Sequence, residues 1–192
     1  MNEVVDSTLL DRYAIDARGS RVTIRAFASG VFSMMGHNPV IAARDVSGEV
    51  RFASQALEVR ELRLSIATAS LSVQNDMSDK DRREIERVMR EDVLETGRYP
   101  AIAFEGSKVT IERPSSGPLR AEVDGDLTVH GITRPHRMPV QVFLIGDTLR
   151  AQGEFEIRQT DFGITLVSVA GGALKIKNEL QCSFDLLARK AT

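Results

Sequence analysis

Residues Gly125–Val140 read GDLTVHGITRPHRMPV, and this stretch sets the architecture of the chain. Leu127 and Val129 alternate with polar neighbours, which is the period-two pattern of a strand with one buried face. Gly131 and the run Thr133–Pro135 interrupt the pattern, because glycine permits unusual dihedral angles and proline lacks the N–H that a sheet ladder needs. Alternation then resumes, so the stretch predicts a strand, a kink or turn, and a second strand.

The same alternation recurs along most of the chain, with Gly, Pro and Ser turn signals between the segments. Many short strands separated by turns predict an antiparallel sandwich or barrel. The last strand is so regular that it needs a partner on each side, and closing the sheet provides one. The other predicted strands are Tyr13–Ala17, Arg21–Ala28, Val40–Ala43, Val46–Phe52, Glu61–Ile66, Ala101–Glu105, Lys108–Glu112, Leu119–Val123, Leu149–Arg158, Thr160–Val169 and Leu174–Leu186.

One segment has a helical period instead. Ser78 is placed to cap a helix N-terminus, with Asp81 three positions further on. Ile85, Val88 and Met89 then recur at helical spacing while charged residues cover the other faces, which predicts one amphipathic helix over about residues 79–93. The charged face is interpreted as a solvated surface, with a docking surface as the alternative.

The bulk composition predicts a soluble protein. The 192 residues carry a formal net charge of −2, which gives no reason to expect nucleic acid as a partner. The single cysteine, Cys182, excludes an intramolecular disulfide, and no apolar run is long enough for a transmembrane helix. The first residues lack the basic and apolar regions of a secretory signal, which predicts the cytoplasm. Residues 1–10 are predicted to form a loose tail before a single domain over 11–190.

The sequence carries no recognised catalytic motif. Cys182 lies on the apolar parity of a strand, which is typical of a buried thiol rather than a nucleophile. His130 and His136 flank the Gly131 turn but lack the spacing and partners of a zinc site. The sequence therefore predicts a non-enzymatic protein without a metal or cofactor, and an enzyme using His37, His130 or His136 around a metal is the weakest alternative.

Several pieces of the chain, taken in order, resemble the YceI-like family of lipid- or polyisoprenoid-binding bacterial proteins. The resemblance covers about Tyr13 to Leu187, and the pieces around residues 99–104 and 127–135 weigh most. The pieces are Tyr13-x-Ile15-Asp16, Ser20-x-Val22, Val46-Ser-Gly48-x-Val50-x-Phe52, Tyr99-Pro100-x-Ile102-x-Phe104, Gly125-Asp-Leu-Thr-Val-His-Gly131-Ile-Thr133-x-Pro135 and Arg158-x-x-Asp161-Phe-Gly163.

The resemblance implies an all-β fold, an extended eight-stranded antiparallel barrel similar to lipocalins, with one amphipathic helix in a connection. It also implies a long apolar tunnel that holds a polyisoprenoid, a quinone or a fatty-acid-like lipid. An eight-stranded barrel is about the smallest that can enclose a small ligand. The expected function is therefore that of a binding or carrier protein, with a ligand-free structural or stress-related interaction module as the alternative and a homodimer left open.

Strand parity and the resemblance together predict the lipid-binding residues. The predicted apolar lining is Phe52, Leu64, Ile66, Phe104, Leu127, Val129, Val140, Val142, Phe155, Ile157, Phe162, Ile176 and Phe184. A one-residue register error would turn any of these strands inside out. The predicted polar contacts at the mouth are His37, Asn38, Arg158 and Asp161. For His37 the alternative is capping of its own loop, and for Arg158 and Asp161 it is pairing with each other.

Overall fold

A computed structural model of the chain describes residues 10–29, 38–53, 56–169 and 174–191. Within these ranges the chain is mostly β, with one helical segment between β7 and β8. The strands are β1 (Asp11–Ile15), β2 (Arg21–Arg25), β3 (Ala28–Ser29), β4 (Val40–Ala43), β5 (Val46–Ala53), β6 (Glu58–Ala67), β7 (Ser72–Val73), β8 (Ala101–Glu112), β9 (Leu119–Val129), β10 (Ile132–Ile145), β11 (Thr148–Arg158), β12 (Ser168–Val169), β13 (Leu174–Ile176) and β14 (Glu179–Lys190).

Eight antiparallel strands close into a barrel, in the order β1-β5-β6-β8-β9-β10-β11-β14. Closure is made by β1 and β14, where Tyr13 lies opposite Lys190 and Ile15 opposite Ala188. The predicted eight-stranded antiparallel barrel is confirmed. Closing the ring gives the long strand β14 a partner on both edges, as its regular alternation required.

The barrel is wider at the end nearer the helix. β10 and β11 pair only near the turn that connects them, through Gln141–Ile145 and Thr148–Gln152. Toward the helix, before Gln141 and after Gln152, the two strands separate. On one edge, β14 pairs with β1 at its C-terminal end and with β2 through Gln181–Asp185. β2 pairs in turn with β4, and β4 pairs with β7. At this end the wall therefore consists of two sheets that diverge, and the space between them forms the interior.

The helical segment lies across this wide end. It consists of α1 (Asp79–Val88) followed by one π-helical turn over Met89–Val93, so the predicted helix over 79–93 is confirmed. Ser78 caps it as expected, since its hydroxyl accepts from the Asp81 N–H at 3.1 Å. Arg82 and Arg90 tie the segment to the chain around β7 by donating to the carbonyls of Val73 and Leu71.

Two bulges adjust which residues face inward. In β8 the register shifts between Gly106 and Lys108, so Ala101–Glu105 and Lys108–Glu112 form one strand rather than the two predicted. The inward parity changes from Ile102 and Phe104 to Val109 and Ile111 across this bulge. A second bulge in β5 lies between Arg51 and Phe52.

Three strand predictions are wrong in detail. Thr133–Pro135 does not interrupt β10, because over Ile132–Val140 this strand pairs with β9 alone and a strand with a free edge tolerates proline. Residues Gln159–Phe162 form a short 3₁₀ turn rather than the start of a strand. Leu174–Leu186 is split, since Asn178 leaves the ladder and its carbonyl accepts from the Gln159 N–H at 2.9 Å.

Candidate functional site

The barrel encloses a cavity of about 640 Å³. Of the described residues, 46 line it, and among these Asp81, Glu84 and Gln159 are the ones with charged or amide side chains. Twelve of the thirteen predicted lining residues are among them: Phe52, Leu64, Ile66, Phe104, Leu127, Val129, Val140, Val142, Phe155, Ile157, Ile176 and Phe184. The structure therefore brings these side chains together around one apolar space, and their role in lipid binding stays a prediction.

The interior is not filled by the protein's own side chains. Leu62, Leu64, Ile66 and Phe184 point inward and pack against the core, yet each is only partly buried. A side chain that faces inward and keeps accessible surface borders empty space, because a well-packed core leaves no room for a solvent-sized probe. A dry cavity with such walls accepts apolar guests.

The narrow end of the barrel is sealed. Tyr13, Val50, Phe52, Leu149 and Ala188 form a separate buried cluster there, with Phe52 and Ala188 each 1% exposed. They come from β1, β5, β11 and β14, the strands that close the ring. This cluster forms the floor of the cavity, since four of its five members also line it.

The cavity reaches the surface beside α1. Asp81 and Glu84 are the exposed members of the lining, and they lie one turn apart on this helix. The apolar face of the same segment, with Ile85, Val88 and Met89, covers the cavity. The mouth therefore lies along the N-terminal half of α1.

The lining of the mouth is acidic, since its charged members, Asp81 and Glu84, are both carboxylates. Arg87 donates to Glu84 at 2.8 Å and to Glu91 at 2.9 Å, so one guanidinium serves two carboxylates. The hydrogen bond from Arg87 holds the pKa of the Glu84 carboxyl below its usual value, so Glu84 is ionised at neutral pH. Asp81 accepts from the Ser78 hydroxyl at 2.7 Å.

Gln159 is the polar side chain buried within the lining, being only 4% exposed. Its Nε2 donates to the Lys177 carbonyl at 2.8 Å, which fixes the orientation of the amide. Its Oε1 accepts no hydrogen bond from the described residues and can accept one from a guest.

Three of the four predicted polar mouth residues lie outside the cavity lining. Asn38 accepts from the Ala28 N–H at 2.8 Å and so stabilises its own loop. Arg158 faces Glu179 at 3.9 Å, and the Asp161 carbonyl accepts from Arg134 at 3.0 Å, so these two residues do not pair with each other. None of the three lines the cavity. His37 lies outside the described residues.

Phe162 is the predicted lining residue that the cavity does not reach. It is 3% exposed and belongs to the 3₁₀ turn that follows β11. This turn ends at Gly163, which has φ 67°, and it packs against β10 where β10 and β11 separate. The turn thus fills the gap between the two strands and forms a plug in the barrel wall. Phe162 is buried in the barrel wall rather than facing the cavity. The chain leaves β11 at Gln159, so the alternation of inward and outward side chains no longer applies to Phe162.

His130 has a structural role beside this plug and is not the outward strand residue that its parity suggests. It occupies the turn between β9 and β10 at φ 50°. Its Nε2 donates to Glu95 at 2.6 Å, and its Nδ1 lies 3.3 Å from the Phe162 carbonyl oxygen. The ring also packs edge-on against Tyr99, with centroids 4.4 Å apart. His130 thus joins the end of the helical segment, the β9–β10 turn and the plug.

Neither remaining candidate has a catalytic environment. Burial raises the pKa of the Cys182 thiol to about 12, so the thiolate is scarce at neutral pH. His136 packs edge-on against Phe155 at 5.0 Å, and burial lowers its pKa. Among the described residues, no cluster of three or more His, Cys, Asp or Glu side chains is arranged to hold a metal ion.

The mouth residues are what sequence reasoning missed. The sequence pattern places Asp81 in the helix cap with Ser78 and Glu84 on a solvated helix face, and nothing in it indicates the burial of Gln159. The available signal was the apolar stripe of Ile85, Val88 and Met89, which must cover some apolar surface. In this fold that surface is the open end of the barrel.

A closed antiparallel barrel with an apolar cavity and a helix across one end is a lipocalin-like barrel. The chain belongs to the YceI-like family, because the model of the YceI-like domain matches residues 13–188. The family resemblance read from the sequence is confirmed.

Curated relatives and solved structures agree with this assignment. A UPF0312 protein of Pseudomonas fluorescens is 27% identical over 161 residues, covering 79% of this chain and 75% of that protein. A UPF0312 protein of Pseudomonas savastanoi pv. phaseolicola is 29% identical over 124 residues, covering 64% of this chain and 57% of that protein.

Two solved structures share the fold. Burkholderia cenocepacia BcnA superposes with a TM-score of 0.68 at 22% identity, covering 93% of this chain and 99% of BcnA. A polyisoprenoid binding domain from Saccharophagus degradans, implicated in plant cell wall breakdown, superposes with a TM-score of 0.59 at 17% identity, covering 93% and 98%. In the part of the chain that the structure describes, no helix has the length and apolar character needed to span a membrane.

Proposed function

We propose that this protein binds and carries a long-chain apolar molecule, such as a polyisoprenoid, a quinone or a fatty-acid-like lipid, inside its barrel. The observation that carries the proposal is the cavity of about 640 Å³ with an almost wholly apolar lining. Ligand pockets in proteins generally fall between about 300 and 1,000 Å³. The polyisoprenoid binding domain of Saccharophagus degradans has the same fold, which supports the proposal.

Burial of an apolar chain supplies enough free energy for binding. Each buried methylene contributes about 0.8 kcal/mol, so about ten methylenes offer the roughly 8 kcal/mol that corresponds to a micromolar Kd. The loss of translational and rotational freedom costs at least about 4 kcal/mol, which raises the requirement to about fifteen methylenes. Chains of fifteen or more carbons are therefore the expected guests.

The proposed role is binding without catalysis. In the described part of the lining, the functional groups are two exposed carboxylates, one amide and a thiol whose pKa is raised to about 12. Binding a guest without reacting with it requires only a cavity of matching shape with an apolar surface. The open interior supports a carrier over the alternative of a ligand-free interaction module, whose barrel would be filled by its own side chains. The cytoplasmic location stays a prediction.

The test is native mass spectrometry of freshly purified protein, followed by titration with a polyprenyl alcohol. We expect a co-purifying lipid or, from delipidated protein, saturable binding of one chain per barrel. The absence of both would refute the proposed function. Bovine serum albumin, which binds apolar chains at several sites, serves as the stoichiometry control.

A further inference from the structure

The charged side chains that line the cavity have one sign. Each of the 25 Lys and Arg residues of the chain lies within the described ranges, and none lines the cavity. Among the described residues, the ionisable groups that do are the carboxylates of Asp81 and Glu84, together with the buried thiol of Cys182. A guest with a phosphate or carboxylate end would meet no fixed positive charge there.

These carboxylates affect binding because the polar end of a guest must lie next to them. The floor of the barrel is a sealed apolar cluster, and burial of an unpaired anion there is strongly unfavourable. The polar end of a guest therefore lies at the mouth, beside Asp81 and Glu84. Arg87 offers little compensation, because its guanidinium already donates to Glu84 and Glu91 and lies 3.8 Å from Asp92.

The same region offers a neutral polar end one suitable partner. Gln159 lines the cavity and follows β11 at the wide end of the barrel, the end that α1 covers. One N–H of its Nε2 is committed to the Lys177 carbonyl, and the carbonyl oxygen Oε1 accepts no hydrogen bond from the described residues, so Oε1 is the acceptor that Gln159 has for a guest. An oxygen acceptor matches a hydroxyl or amide donor and repels a carboxylate or phosphate.

We propose that the cavity selects long-chain molecules whose polar end is uncharged and donates a hydrogen bond, and that it discriminates against the same chain ending in a phosphate, diphosphate or carboxylate. This inference rests on the proposed function and specifies its ligand class. The acidic mouth excludes the anion, and the buried amide of Gln159 receives the hydroxyl.

The experiment compares geranylgeraniol with geranylgeranyl diphosphate, which share one apolar chain. Both are titrated into the full-length protein by displacement of the uncharged fluorescent probe N-phenyl-1-naphthylamine at low ionic strength. We expect the alcohol to bind at least tenfold more tightly, since like charges repel across the mouth and the diphosphate must lose part of its hydration. The gap should narrow as salt screens the mouth.

Matched variants locate the origin of the selectivity. In the double variant Asp81→Asn with Glu84→Gln, the affinity for the diphosphate should rise at least threefold while that for the alcohol stays unchanged. The control is Glu105→Gln with Asp126→Asn, which removes two exposed carboxylates from the outer face of β8 and β9, outside the cavity lining, and should leave both affinities unchanged. Gln159→Met should weaken the alcohol about fivefold and leave the diphosphate unaffected.

The outcomes separate the two proposals. Equal or tighter binding of the diphosphate would overturn the selectivity and leave the carrier function standing. An unchanged gap in the Asp81 and Glu84 double variant, shown to be folded by circular dichroism, would overturn the role of the mouth. Failure of both molecules to bind would instead refute the carrier function.

Discussion

A phenylalanine placed inside the cavity tests the apolar space itself. Ala151 lies on β11, faces inward and lines the cavity, so Ala151→Phe projects a phenyl ring into it. A void of about 150 Å³ accommodates one benzene ring, and the ring therefore takes roughly a quarter of the 640 Å³. A chain held by about fifteen methylenes loses about four of them, about 3 kcal/mol, which corresponds to roughly 150-fold weaker binding.

The assay is isothermal titration of geranylgeraniol into parent and variant. Because the new ring enters empty space, the thermal unfolding midpoint should stay close to that of the parent, in contrast to the usual cost of overpacking a filled core. Ala14→Phe is the control, since Ala14 is exposed on the outer face of β1. A folded Ala151→Phe protein that binds within threefold of the parent would show that the chain does not occupy this space.

Three further predictions concern the histidines and the cysteine. His130→Ala should lower the free energy of unfolding by about 2 kcal/mol in urea titrations, because it removes a hydrogen bond to the partly exposed Glu95 and the packing against Tyr99; a loss below about 0.5 kcal/mol would contradict the anchoring role. Since burial lowers the pKa of His136 in the folded state, the unfolded chain binds the extra proton first, and stability should fall as pH drops below about 6.5. His136→Gln should flatten that slope, and parallel curves would count against burial of the ring. Cys182 in the native protein should react with Ellman's reagent about 1,000-fold more slowly than in urea, because its pKa is raised from 9.0 to about 12; similar rates would show that the thiol is not buried.

Alternation and turn signals predict most of the barrel. The reason is that one face of each strand meets the apolar interior and the other meets water, as in β9, where Ala121, Val123, Leu127 and Val129 are buried. The helix was predictable for the same reason, since its apolar stripe and its Ser78 cap are local features. Twelve of the thirteen predicted lining residues follow from parity in this way.

The remaining features depend on contacts that alternation does not encode. The bulge at Gly106 changes parity within β8, and the split at Asn178 depends on a hydrogen bond to Gln159 across the fold. In the sequence, Pro135 is typical of a strand break. It is accommodated because β10 has a free edge there, and a free edge depends on the tertiary structure rather than on the local pattern. The motif around His130 and Gly131 contributes strongly to the family resemblance. In the structure it connects the helical segment, the β9–β10 turn and the 3₁₀ turn at Phe162.

The mouth could not be located from the sequence for a related reason. Loop signals such as Asn38 and Asp161 favour exposed polar contacts. In the structure Asn38 accepts from the Ala28 N–H, and the Asp161 carbonyl ties its turn to Arg134 of β10. The carboxylates that do border the opening, Asp81 and Glu84, resemble any other charged residue of an amphipathic helix. Only the packing of α1 across the wide end distinguishes them.

The most direct measurement is the position of a guest in the barrel. A crystal of the protein grown with a long-chain primary alcohol that carries bromine on its last carbon locates that carbon by anomalous scattering. With the hydroxyl at the mouth, we expect the bromine deep in the cavity near Phe52 and Leu149, in the apolar cluster that seals the narrow end. A bromine peak on the outer surface, or an interior without ordered density at saturating alcohol, would contradict the account.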